Sequence, residues 1–87
     1  MENEEKKKPV KKFYVGDVTA SIWKNAGKNG AFYTVTLTRR YRDGEEIKDT
    51  ASLSRYDLTK AIQVLARALS WIDYVEQHGS EPVEEPA

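Results

Sequence analysis

Few residues in this chain are equipped for covalent chemistry. His78 is the only histidine and there is no cysteine, so no thiolate nucleophile or thiolate metal site can form. His78 closes a helical pattern, where an imidazolium favours the negative end of the helix dipole. It reads as a terminal residue rather than a base. Glu45 and Glu46 follow a turn and read as solvated acids. Gly27, Gly30 and Gly44 fall in hairpin loops, not in the strand-to-helix loop that cradles a phosphate. No serine has a base in a triad-like context. No enzyme, metal or other cofactor is expected.

A second group suits non-covalent chemistry. In the stretch FYTVTLTRRYRDG, strand alternation puts Phe32, Thr34, Thr36, Thr38, Arg40 and Arg42 on one face. Tyr33, Val35 and Leu37 fall on the other. Trp23, Lys48, Thr50 and Ser52 are expected on the polar face from the neighbouring strands, with Lys24 beside Trp23. Aromatic rings offer stacking surfaces for unpaired bases. Arginine and lysine neutralise phosphates, and threonine hydroxyls hydrogen-bond to them. An ordinary solvated face accounts for the same residues, because threonine is favoured on an exposed sheet. Trp23 and Phe32 would also pack on each other across the hairpin.

The elements that position these residues follow from periodicity. Residues 1–11 are charged, lack a hydrophobic period and are expected to be disordered. A first strand is expected over Phe13–Lys24, with Gly16 marking a bulge or bend. The loop NAGKNG over Asn25–Gly30 leads to the second strand. Asp43-Gly44 is a short-hairpin signal, and a third strand is expected from Glu46 to Leu53 with Ile47, Ala51 and Leu53 inward. Ser54 and Asp57 mark a helix start, and Gly79 marks its end. Residues 79–87 form an acidic tail. The expected domain over 12–78 is therefore α+β: an antiparallel three-strand meander, four if the chain breaks at Gly16, then one long C-terminal helix.

Along that helix Leu58, Ile62, Leu65, Leu69 and Ile72 form one apolar stripe. The expected core combines the first four of these with Val18, Ile22, Tyr33, Val35, Leu37 and Leu53. Val64 and Trp71 lie further round, so the apolar arc exceeds what one sheet covers. With a small core and no disulfide, a homodimer is expected, with Val64, Ala68, Trp71 and Val75 at its interface.

Charge is uneven. The chain has 14 Lys/Arg and 14 Asp/Glu. Residues 9–75 hold 11 Lys/Arg against 7 Asp/Glu, a net of +4. A mildly basic domain with glutamates gathered at both ends fits polyanion binding with restrained non-specific attraction, and fits ordinary surface charge equally. No apolar run approaches the length of a membrane span or a signal peptide, and a cytosolic location is expected.

The strings VTASIWKN, FYTVTLTRRYRDG and LSRYDL resemble a family of small bacterial proteins of undetermined function, over roughly residues 15–72. At the level of fold, antiparallel strands followed by one long helix are similar to the Whirly-like single-stranded-DNA-binding superfamily, which includes the eukaryotic positive cofactor four. That resemblance implies pairing through helices and binding of unpaired nucleic acid on a curved sheet. The chain departs from it in showing three long strands rather than four, unless Gly16 breaks the first. The expected function is non-enzymatic binding of single-stranded nucleic acid, in transcription or DNA maintenance. The alternative is a module that docks a partner protein on the same face.

Overall fold

The computed structural model describes residues 8–82 and contains a four-stranded antiparallel sheet followed by one helix. The strands are β1 (Lys11–Val15), β2 (Val18–Gly27), β3 (Gly30–Asp43) and β4 (Glu46–Thr50). They pair in sequence order. A 3-10 turn at Arg55–Asp57 leads into α1 (Leu58–His78). Among the described residues, no helix is long and apolar enough to cross a membrane.

The fourth strand comes from the break at Gly16. With φ at 61°, Gly16 takes a left-handed conformation that side-chain-bearing residues rarely adopt. The two-residue turn Gly16-Asp17 folds β1 back on β2, pairing Val15 with Val18 and Lys11 with Ile22. The expected disordered tail is accordingly too long at its inner end. Lys11 opens β1, and the Val10 N–H donates to the Ile22 carbonyl at 2.8 Å. The rest of that expectation, residues 1–7, and the expected acidic tail beyond Pro82 lie outside the described residues. The expected Asn25–Gly30 loop shrinks to Lys28-Asn29, because β2 runs on to Gly27 and β3 begins at Gly30.

Val18, Ala20 and Ile22 of β2 are fully buried beneath α1. Phe13 and Val15 of β1, and Tyr33, Val35 and Leu37 of β3, pack around them. The helix face that meets the sheet is Ala61, Val64, Ala68, Trp71 and Val75. Trp71 stands edge-on to Tyr33, centroids 5.9 Å apart and planes at 88°, the T-shaped geometry aromatic pairs favour. Two expectations are corrected here. Leu58, Ile62, Leu65 and Leu69 are exposed rather than core. Val64, Ala68, Trp71 and Val75 are the core of the chain itself, so they have no surface left for a partner. The helix is rotated from the expected phase because its alanine-bearing face lets it settle close to Val18, Ala20 and Ile22 of the sheet.

One corner fixes the entry to the helix. Ser54 and Asp57 form a capping box: the Ser54 N–H donates to Asp57 Oδ2 at 2.8 Å and the Tyr56 N–H donates to Ser54 Oγ at 3.2 Å. Arg39 Nε lies 3.2 Å from Asp57 Oδ2, and Lys60 reaches Asp17 at 3.0 Å. The Ser54 backbone hydrogen bond, seconded by its hydroxyl and by the charges of Arg39 and Lys60, outweighs desolvation and holds the Asp57 carboxyl below its ordinary 3.8. A lowered folded-state pKa stabilises the fold above the unfolded value, and this contribution is lost as pH falls through the folded value. Urea midpoints should therefore differ most between the native chain and Asp57→Asn at neutral pH, and the gap should narrow from about pH 5 downward. A gap independent of pH would show that ionised Asp57 is not the stabilising species.

Candidate nucleic-acid interface

The sheet face away from α1 is covered by no other described element. The register assigns its members. β1 contributes Lys12 and Tyr14, and β2 contributes Thr19, Ser21, Trp23 and Asn25. β3 contributes Phe32, Thr34, Thr36, Thr38, Arg40 and Arg42, and β4 contributes Ile47 and Asp49. Period two on β3 produces this outer row while its alternate residues pack toward the helix.

The aromatic end is partly pre-ordered. Trp23 Nε1 donates to Thr36 Oγ1 at 2.9 Å, and Asn25 Nδ2 donates to Thr34 Oγ1 at 3.1 Å. Both bonds run across the β2–β3 ladder, and the first ties the Trp23 ring to β3. Phe32 is 49% exposed. A Cβ at Gly27 would come within 3.2 Å of its ring, so the glycine leaves room for Phe32 to lie against the hairpin backbone. Tyr14 is 57% exposed and sits in one cross-strand row with Thr19 and Thr38, toward the Arg40 end of the face.

At the other end Arg40 pairs with Asp49 at 3.8 Å, both side chains more than 60% exposed. Such a surface pair contributes little and gives way to a phosphate at small cost. Arg42 stands opposite Ile47 in the ladder. Basic and aromatic groups thus share one face, with hydroxyls between them.

The structure brings Trp23, Phe32, Thr34, Thr36, Thr38, Arg40 and Arg42 together and excludes four expected members. Lys24 stands opposite Tyr33, so it is on the helix side, near Trp71 and Val75. Lys48 and Thr50 pair with Tyr41 and Arg39 and share that side. Lys48 is engaged with Asp43 at 2.9 Å. The two-residue Gly44-Glu45 turn sets Asp43 against Glu46, which turns Ile47 outward and Lys48 inward. Phasing β4 by its hydrophobic residues therefore gave the opposite face. Ser52 lies beyond the end of β4.

Lys12 and Tyr14 were missed in the sequence reading. They emerge once the chain is broken at Gly16, since Val-Gly-Asp-Val carries a turn glycine between two apolar residues. Among the described residues, no group of three or more His, Cys, Asp or Glu is placed to hold a metal ion. Comparison with family models, curated proteins and solved structures finds no match to this chain.

Proposed function

We propose that this protein is a non-enzymatic binder of single-stranded nucleic acid, acting through the outer face of its sheet and working as a homodimer that presents two such faces. The observation that carries this reading is the uncovered outer face, with Tyr14, Trp23 and Phe32 exposed or half-exposed and Arg40 and Arg42 in line with Phe32 on β3. Bases stack on the rings while phosphates meet the arginines and threonine hydroxyls. Such binding is tolerant of sequence, because every base has a π-face. The order of sheet and helix is also that of the Whirly-like superfamily, an analogy of fold alone.

Fluorescence anisotropy of a labelled single-stranded oligonucleotide, titrated with the full chain at several salt concentrations, tests the reading. Affinity should fall steeply with salt, since each neutralised phosphate releases counterions. Arg40→Ala should weaken binding similarly for all sequences and reduce the magnitude of the log–log salt slope by about 0.7 to 1. No binding at the lowest salt, where attraction is strongest, would sink the proposal. Capture of a protein partner with little salt dependence would favour docking on the same face instead.

A further inference from the structure

One edge of the sheet is closed by nothing in the described chain. β3 pairs with β2 from Gly30 to Arg39, but with β4 only from Arg39 to Asp43. The Arg40 N–H donates to the Asp17 carbonyl at 2.8 Å. Alternation along the ladder then turns the backbone groups of Thr38, Thr36, Thr34 and Phe32 toward β2 as well. Those of Ala31, Tyr33, Val35 and Leu37 point the other way, past the end of β4 at Thr50. Beyond Thr50 the chain leaves the sheet for the helix start at Ser54. The N–H and carbonyl groups of those β3 residues are left as a row of strand donors and acceptors with no strand beside them.

This edge is unguarded. Residues 31–37 read AFYTVTL, with no charge, proline or glycine. Charges and short strands normally discourage strand addition, and the other two edges carry them: β1 opens with Lys11-Lys12, and β4 is charged at three of its five positions. The helix adds a second feature at the same place. α1 lies over β1 and β2 and only grazes β3, which leaves Tyr33, Val35 and Leu37 half-buried. The helix stripe of Leu58, Ile62, Leu65 and Leu69, between 40 and 69% exposed, lies on the β3 side. The opposite flank, with Arg67, Ser70 and Tyr74, faces Phe13 of β1. A strand laid against residues 31–37 would extend the sheet beneath that stripe. Its helix-side residues would enter the trough between the stripe and β3, and those on its other face would continue the threonine row.

We infer that this edge takes an extended segment of another protein as an added strand, antiparallel to β3, with large aliphatic residues at alternate positions and acidic residues at its ends. Main-chain bonds supply the affinity of such strand addition, and the alternate side chains supply its specificity. Arg40 lies just beyond one end of the open stretch and exposed Lys28 beyond the other, which favours the acidic flanks. The chain's own ends lack the pattern: residues 1–7 are MENEEKK and residues 83–87 are VEEPA. A second copy fits poorly. Pairing two such edges antiparallel about a two-fold axis over residues 31–37 sets Asn29 of one beside Arg39 of the other, where Thr50 already lies. The site is separate from the outer face, and it stands or falls apart from nucleic-acid binding.

The probe is a labelled peptide that alternates isoleucine and threonine, begins and ends the alternation with isoleucine, and carries a glutamate at each terminus. Fluorescence anisotropy with the full chain should show saturable binding. In the antiparallel pairing the isoleucines stand opposite Leu37, Val35, Tyr33 and Ala31 and aim their N–H groups at β3, while the threonines aim theirs away. N-methylation of the isoleucines should therefore weaken binding more than about 10-fold. N-methylation of the threonines should leave it nearly unchanged. Leu65→Glu/Leu69→Glu should weaken binding with unchanged far-ultraviolet circular dichroism. In hydrogen exchange the Tyr33, Val35 and Leu37 amides should exchange faster than those of Thr34 and Thr36 in the free chain, and slow when peptide is added.

Absence of saturable binding overturns the inference. So does equal weakening by the two methylation patterns, or weakening by the threonine pattern alone. Slow exchange of Tyr33, Val35 and Leu37 in the chain by itself, lost on dilution, would assign the edge to a second copy and overturn it equally. Should the double glutamate variant lose its helix signal, the two methylated peptides decide. A chain that binds the peptide but no oligonucleotide would count only against the outer-face reading, and the reverse result only against this one.

Discussion

Trp71→Ala is expected to lower the thermal midpoint by at least about 12 °C, because truncating a buried tryptophan costs about 3–5 kcal/mol and each kcal/mol shifts a domain of this size by about 4–8 °C. Trp71 is buried and stands edge-on to Tyr33 at 5.9 Å, so the variant loses both burial and the ring pair. Small domains have about 5 kcal/mol in hand, which brings the variant near its unfolding threshold at room temperature. Ile62→Gln serves as the contrast. In the isolated chain Ile62 is mostly exposed, and the substitution should change monomer stability by about 0.5 kcal/mol or less. Circular dichroism melts at a concentration where the native chain is monomeric compare the two. Equal losses would show that the helix packs with the other stripe against the sheet.

Tyr14→Ala combined with Phe32→Ala is expected to weaken oligonucleotide binding by roughly 30-fold or more, since each stacked base contributes about 1–3 kcal/mol. Both rings project from the outer face, with large fractions of their surface in water. Their removal should leave most of the folded chain's stability in place, so lost affinity can be read as lost stacking. The salt slope should stay near its native value, because no phosphate contact has been removed. Unchanged affinity would remove Tyr14 and Phe32 from the proposed interface and leave Trp23 as its remaining stacking ring.

Where local chemistry admits one solution, the structure was legible in the sequence. A hairpin forms where Asp43-Gly44 signals one, with Gly44 and Glu45 as its two turn residues, Ser54 and Asp57 cap the helix, and Gly79, with φ at 76°, closes it. The alternation of β3 placed Tyr33, Val35 and Leu37 toward the helix and Thr34 and Thr36 away from it. Where two solutions compete, hydrophobicity did not discriminate. The helix offers two apolar faces, and the choice depends on the volume left above Val18 and Ile22, a tertiary quantity. In β4 the turn dictates register, and Ile47 is carried outward against its own preference. Tyr14 shows a third case: its place beside Thr19 depends on the break at Gly16, which strand periodicity reads as a mere bend.

Consecutive strands are also neighbours in the sheet, and each of the three ladders is closed by a turn of only two residues. This has a consequence during synthesis. Closing such short loops costs little entropy, and β1, β2 and β3 have all their sheet partners once residue 43 has been made, save those β4 supplies. The apolar underside of β2 nevertheless stays open until Ala61, Val64, Ala68, Trp71 and Val75 arrive to cover it. The Lys60–Asp17 bridge, spanning 43 positions, likewise waits for the helix. At about 5–20 residues per second, the roughly 30 residues between the end of β3 and Val75 take about 2–6 s to make. For that interval the nascent sheet presents a bare hydrophobic surface, and the late arrival of the helix sets how long the chain is exposed to misassembly on the ribosome.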